Sequence, residues 1–188
     1  MIYLAIFASG AGSNAEKIIA HFKGNDRVQV ALIVCNKPTA GVLEIAQKWG
    51  IKTHLIEKEG FFSEKSCLLA LKEHQIDFIV LAGFLWKMPE AVVAAYPKKI
   101  VNIHPALLPK YGGKGMYGDR VHAAVLAAGE KESGISIHYV DEQYDEGDII
   151  FQATCPVEEA DTPETLASKV HALEHAHFAQ VIEELVGG

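Results

Sequence analysis

The residues best suited to chemistry lie in the run "VNIHPALLP", Val101 to Pro109. The apolar stretch "KKIVNIHP" reads as a strand entering a proline-stiffened exit. Asn102 and His104 stand two apart on it, so both project from one face. An asparagine donates through a neutral amide, and a histidine changes charge near neutral pH. Such a pair suits polarising a carbonyl and moving a proton. The structural alternative is a satisfied His–Asn pair at a strand end.

A partner for the histidine is sought in "SIHYVDEQYDEGDIIFQA", where Ser136, His138 and Val140 share one strand face. The turn that follows holds Asp141, Glu142, Asp145, Glu146 and Asp148 within eight positions. A solvated acidic loop is the commoner fate of such a run. Chemistry asks only that one carboxylate be drawn inward beside His104. Its charge would raise the histidine pKa and prepare an imidazolium general acid.

Three further segments have chemical potential. "SGAGSN", Ser9 to Asn14, places glycines before a helix whose first amides, at Gly12, Ser13 and Asn14, suit a phosphate. With Ala15 it fits a dinucleotide fingerprint, but the second strand ends in Cys35-Asn36-Lys37-Pro38 instead of the acidic residue that a ribose needs. A single phosphate on a smaller ligand fits better than a dinucleotide or a plain tight turn. "HALEH", His171 to His175, matches a zinc-protease pattern, but a further downstream ligand is missing and no metal is expected. "LAGFLWKMP", Leu81 to Pro89, reads as core packing, or as an apolar crevice for a flat heteroaromatic ligand at a strand's carboxyl end.

These segments need elements to position them. Apolar strands are expected at Ile2–Ala8, Val28–Cys35, Lys52–Ile56, Asp77–Ala82 and Lys99–His104. Helical patterns alternate with them at about Asn14–Lys23, Gly41–Gly50, Ser63–His74 and Pro89–Ala95. Strands this apolar are buried on both faces, as in a parallel sheet covered by helices. After Pro105 come a glycine-rich loop, a helix at about Asp119–Ala128, strands at Gly134–Asp141 and Asp148–Val157, and a last helix opened by "ADTPETL". Asp161 or Thr162 can cap that helix, and Pro163 suits its first turn. The expected fold is one α/β domain over residues 1–188. It is a Rossmann-like open, mostly parallel twisted sheet flanked by helices, with an altered, mixed C-terminal third.

Composition excludes some functions. A formal charge of −7 disfavours a nucleic-acid partner, and no run reaches the length of a membrane span. The amino terminus lacks a basic leader and reads as a first strand. Cys35, Cys67 and Cys155 are far apart and read as buried small hydrophobes, in keeping with a cytoplasmic protein.

From "SGAGSN" through "LAGFLWKMP" and "NIHPALLPKYGG" to the aspartate of "QYDEGD", the chain resembles the phosphoribosylglycinamide formyltransferases. These are the folate-dependent, purine-synthesis branch of the formyltransferase superfamily. The resemblance implies that Asn102, His104 and Asp145 form the catalytic trio. Gly12, Ser13 and Asn14 would hold the substrate phosphate, and Glu174 would sit near the glycinamide amine. Leu85, Trp86, Lys87 and Met88, with Asn102 and the segment Asp141, Glu142, Gln143, Tyr144 and Asp145, would line the folate pocket. The cosubstrate would be 10-formyltetrahydrofolate and the acceptor 5'-phosphoribosylglycinamide, with no metal, nucleic acid or membrane, and a homodimer is left open. Two departures stand out. The region where relatives carry a folate-contacting arginine is "FFSEKS", with Lys65 the nearest cation. In "GGKGMYGDRVH", Arg120 and His122 occupy positions where the commoner form has histidines. The rival functions are a formyltetrahydrofolate hydrolase, a methionyl-tRNA formyltransferase, which would need a further RNA-binding domain, and a non-catalytic phosphosugar-binding module.

Overall fold

The computed structural model describes residues 1–62 and 65–187. Seven strands lie in the order β3-β2-β1-β4-β5-β6-β7, and the chain divides into two compact units, Met1–Val101 with Ile182–Gly188, and Asn102–Val181.

In the first unit, β1 (Ile2–Ala8) pairs in parallel with β2 (Val28–Cys35) on one side and β4 (Phe78–Leu81) on the other. β3 (Lys52–Leu55) joins β2, again in parallel. Leu4, Ile6, Phe7, Leu32, Ile33 and Ile79 are fully buried. Each contributes roughly 1.5–3 kcal/mol through burial, which is why these strands are apolar on both faces. The helices are α1 (Ser13–His21), α2 (Gly41–Trp49), α3 (Lys58–Phe62), α4 (Lys65–Glu73) and α5 (Glu90–Ala95). The short α3 was not expected from the pattern. The expected helix start at Ser63, like the side chain of Lys65, lies outside the described residues. α2 stops at Gly50, whose φ of 67° suits a residue without a Cβ.

β5 (Ile100–His104) crosses the division between the units. The second unit then runs through α6 (Asp119–Ala127), β6 (Glu132–Tyr139) and β7 (Ile149–Pro156). β6 and β7 pair antiparallel, with a register shift between Ile137 and His138. α7 (Pro163–Gly187) follows. Of the two proposed caps of α7, Thr162 takes the role and Asp161 ties side chains instead. Thr162 and Thr165 exchange amide-to-hydroxyl hydrogen bonds of 2.9 and 3.3 Å. Asp161 accepts from Thr165 Oγ1 and from Lys169 Nζ at 2.7 Å; the lysine, then the Glu158 amide, hold its pKa down at about 2. All three cysteines are buried and free, and burial pushes the Cys67 thiol up to about 12. Among the described residues, no helix is long and apolar enough to cross a membrane.

Candidate active site

β5 carries Asn102 and His104 on one face into the exit at Pro105, and the turn between β6 and β7 returns Asp145 to the same place. Of the five carboxylates in that turn, Asp145 is the one drawn inward: its side chain is 11% exposed and its φ is 56°. Aspartate tolerates this left-handed conformation better than most residues. The carboxylate is held on several sides. Its Oδ2 accepts the Gly113 amide at 2.9 Å and lies 3.6 Å from His104 Nδ1, while Oδ1 lies 3.5 Å from His138 Nε2. Burial pushes the Asp145 pKa up, but His138, the charge of His104 and the Gly113 amide outweigh it and leave it below its ordinary value. A Cβ on Gly112 would lie 2.6 Å from Leu108 Cδ2 and 3.3 Å from Asp145 Cβ, so a larger residue there would push on both side chains.

The hydrogen bonds define the tautomers. His104 Nε2 lies 2.7 Å from the Tyr111 carbonyl, so this nitrogen carries a proton and donates. The other nitrogen, Nδ1, faces Asp145 at ion-pair distance but beyond hydrogen-bond length. His104 is nearly buried, and burial lowers its pKa by more than Asp145 and the Tyr111 carbonyl raise it. This corrects the expectation of a raised value. The opposite charge is present, but desolvation wins, and the resting imidazole is neutral with Nδ1 as its basic atom.

His138, buried beside it, is a group the sequence reading placed on the right face but gave no role. Its Nδ1 donates to the Tyr139 carbonyl at 2.8 Å, so its Nε2 accepts from Asn102 Nδ2 at 3.1 Å. The second amide hydrogen of Asn102 points to Asp145 Oδ1 at 3.4 Å. Both hydrogens are thus engaged, the contact to Asp145 being the longer. Ser136, on the same face, is the buried anchor of the exit: it accepts from the Leu108 amide at 2.9 Å and donates to the Ala106 carbonyl at 2.7 Å. The signal for His138 was its alternation with Ser136. What hid it was the lack of any sequence cue to its distance from Asn102.

Among the remaining expected residues of this unit, Glu174 belongs to a cluster on α6 and α7. Glu174 is 5% exposed and accepts from His171 Nδ1 at 2.9 Å, a bond that raises the His171 pKa. His122 is buried, and burial, followed by the charge of His171, lowers its pKa. Asp141 Oδ1 caps the Gln143 amide at 2.8 Å, while Glu142, Gln143 and Tyr144 are exposed. Among the described residues no group of three metal-binding side chains occurs.

In the first unit, Gly12 caps α1 with φ 82°, and the first bond of the helix runs from the Glu16 amide to the Gly12 carbonyl at 2.9 Å. The amides of Ser13 and Asn14 precede that bond, as a phosphate site requires. A Cβ on Gly12 would meet the Val42 backbone at 2.8 Å, whereas one on Gly10 would meet nothing. Ser9 Oγ accepts the Leu85 amide at 3.1 Å and so ties the glycine loop to the segment that follows β4. Leu85 is exposed, Trp86 and Lys87 are half-buried, and Met88 is buried. Phe84 meets Phe7 edge-on at 5.3 Å and Phe61 at 5.6 Å, and this stacking fixes where the segment leaves β4.

With this geometry in place, the likeness to known proteins is informative. The phosphoribosylglycinamide formyltransferase of Bacillus subtilis is 38% identical over 97% of this chain and 94% of its own length. The chloroplastic enzyme of that name from Arabidopsis thaliana is 42% identical over 95% of this chain. The chain spans only about three fifths of the plant relatives, 63% and 60% of their lengths. The crystal structure of phosphoribosylglycinamide formyltransferase from Bacillus halodurans superposes with a TM-score of 0.88 at 39% identity, covering 98% of this chain and 95% of that one. The formyl transferase family profile matches residues 3–182, a span that takes in the glycine loop, the Asn-His-Asp convergence and most of α7, and the chain belongs to that family.

Proposed function

We propose that the protein transfers the formyl group of 10-formyltetrahydrofolate to the glycinamide amine of 5'-phosphoribosylglycinamide. The observation that carries this reading is Asp145 lying within 3.6 Å of both His104 and His138, with Asn102 bonded into the same group. Family membership and the names of the relatives support it. In the first unit, Gly12, Ser13 and Asn14 take the phosphate, and Leu85, Trp86, Lys87 and Met88 contact the folate. In the second unit, Asn102 and Asp141 to Asp145 contact the folate, and Glu174 meets the amine.

The amine nitrogen attacks the formyl carbon, and a C–N bond forms as the carbonyl electrons move to oxygen. Neutral His104 receives the amine proton at Nδ1. The imidazolium so formed, with Asn102, stabilises the oxyanion where it develops. Asp145 lowers the cost of that positive charge in a buried place. When the tetrahedral intermediate collapses, the C–N bond to the folate breaks, and the leaving nitrogen takes the proton. Both substrates are small molecules, and we place the activity in the cytoplasm.

Following the absorbance change of a formyl-folate donor with and without phosphoribosylglycinamide tests the reading. Transfer that depends on the acceptor is expected. Deformylation without acceptor would identify a hydrolase, and an inert donor would leave only a binding module.

A further inference from the structure

We propose that Glu130 is a positioning residue for His104, acting through Tyr111. The inference rests on the reading of His104 as the group that accepts the amine proton. One oxygen of Glu130, just after α6, accepts two bonds: from Lys110 Nζ at 2.8 Å and from the Tyr111 hydroxyl at 2.9 Å. Tyr111 is held at both ends, its hydroxyl by Glu130 and its carbonyl by His104 Nε2–H. Between them its backbone has φ 57°, a left-handed conformation that a tyrosine keeps only where its surroundings impose it.

The carbonyl decides where the single proton of the neutral imidazole sits. Pointed at Nε2, it draws the proton there and leaves Nδ1 basic. Without it, the nearest strong acceptor is the Asp145 carboxylate, on the Nδ1 side at 3.6 Å. The proton would then move to Nδ1 and block the atom that has to receive the amine proton. The charged or titratable groups facing His104 are Asp145, His138, Glu174 and His122, and Lys110 faces Glu130. None of the first four is bonded to Nε2, where the Tyr111 carbonyl sits. Pairing with Lys110 and Tyr111 holds the Glu130 carboxyl below its ordinary range, so the tether is an anion at neutral pH.

The test combines two readouts on the full chain. Nitrogen-15 NMR of the imidazoles, recorded above the His104 pKa, reports which nitrogen carries the proton. Steady-state kinetics separate kcat from KM. Wild type should show Nε2–H. Glu130→Ala should shift His104 towards Nδ1–H and lower kcat about fivefold, the equivalent of one hydrogen bond, with both KM values within about twofold. Glu130→Gln keeps an acceptor for the tyrosine hydroxyl and should recover most of kcat. Tyr111→Phe removes a single oxygen, so it guards against a folding defect, and it should match Glu130→Ala. A lowered melting temperature with the wild-type tautomer and kcat in both variants would make Glu130 a structural anchor only and overturn the proposal. If wild type itself shows no acceptor-dependent transfer, the functional reading fails, while the tautomer measurement still decides the role of Glu130.

Discussion

Replacing Asp145 with asparagine keeps the shape of the side chain and an acceptor for the Gly113 amide, but removes the charge beside His104. At 3.6 Å between His104 Nδ1 and Asp145 Oδ2, with an effective dielectric constant of about 20, the attraction is 332/(20 × 3.6), roughly 4–5 kcal/mol. The low exposure of the two side chains, 4% and 11%, leaves little solvent to screen it. The Gly113 amide already neutralises part of the carboxylate's field, but removing the charge should still lower the histidine pKa further. Burial already holds that pKa below its ordinary value. In Asp145→Asn the imidazolium is harder to form, so the imidazole is less able to keep the amine proton and donate to the oxyanion. The expected loss in kcat is about a hundredfold to a thousandfold, with both substrates still binding, the pattern of an interaction made only in the transition state. An NMR titration of His104 with single-turnover kinetics would measure both quantities. An unchanged titration with near-normal turnover would refute the reasoning and return the acidic turn to a solvated loop.

Gly10→Ala should leave the melting temperature unchanged, because its Cβ meets no atom of the chain, yet raise the KM for the phosphorylated acceptor. Gly12→Val is a poorer probe, since its clash with Val42 costs stability as well as affinity; equal acceptor affinity in Gly10→Ala would move the phosphate away from the loop. His122 has a folded pKa below its ordinary 6.5, so the unfolded chain binds the extra proton and stability falls as pH drops below about 6.5. His122→Asn should flatten that limb in urea melts at about pH 7.5 and pH 5.5, and an unchanged slope would count against it. His171 runs the other way: its contribution is full below its ordinary value and is lost as pH rises through the raised one. Exhaustive chelation should leave formyl transfer intact; stoichiometric zinc lost together with activity would show that His171 and His175 hold a metal.

The strands were legible because burial on both faces demands unbroken apolar runs, and β1 and β2 have the expected bounds, Ile2–Ala8 and Val28–Cys35. α3 escaped because five residues, Lys58–Phe62, carry too little periodicity to separate from a loop. In the site, alternation on one strand predicted the shared face of Asn102 and His104, but the sign of the His104 shift was not legible. That sign depends on desolvation against one charge at 3.6 Å, and residue types convey neither. The Tyr111 carbonyl and the Gly113 amide were hidden for a different reason: they are main-chain atoms, which every residue has.

The division of the chain has a consequence for the order of assembly. The first unit is discontinuous, with residues 102–181 intervening between its body and its closing segment. The bond from His21 Nε2 to Glu183 Oε2, 2.8 Å long, spans that interval. Closing a flexible loop of roughly eighty residues costs about 4 kcal/mol in chain entropy. A second unit already folded removes most of that cost. Asn102, His104 and Asp145 all lie inside that second unit and so can find one another without the segment that closes the first. The glycine loop's own unit is whole only once the segment from Ile182 has joined it.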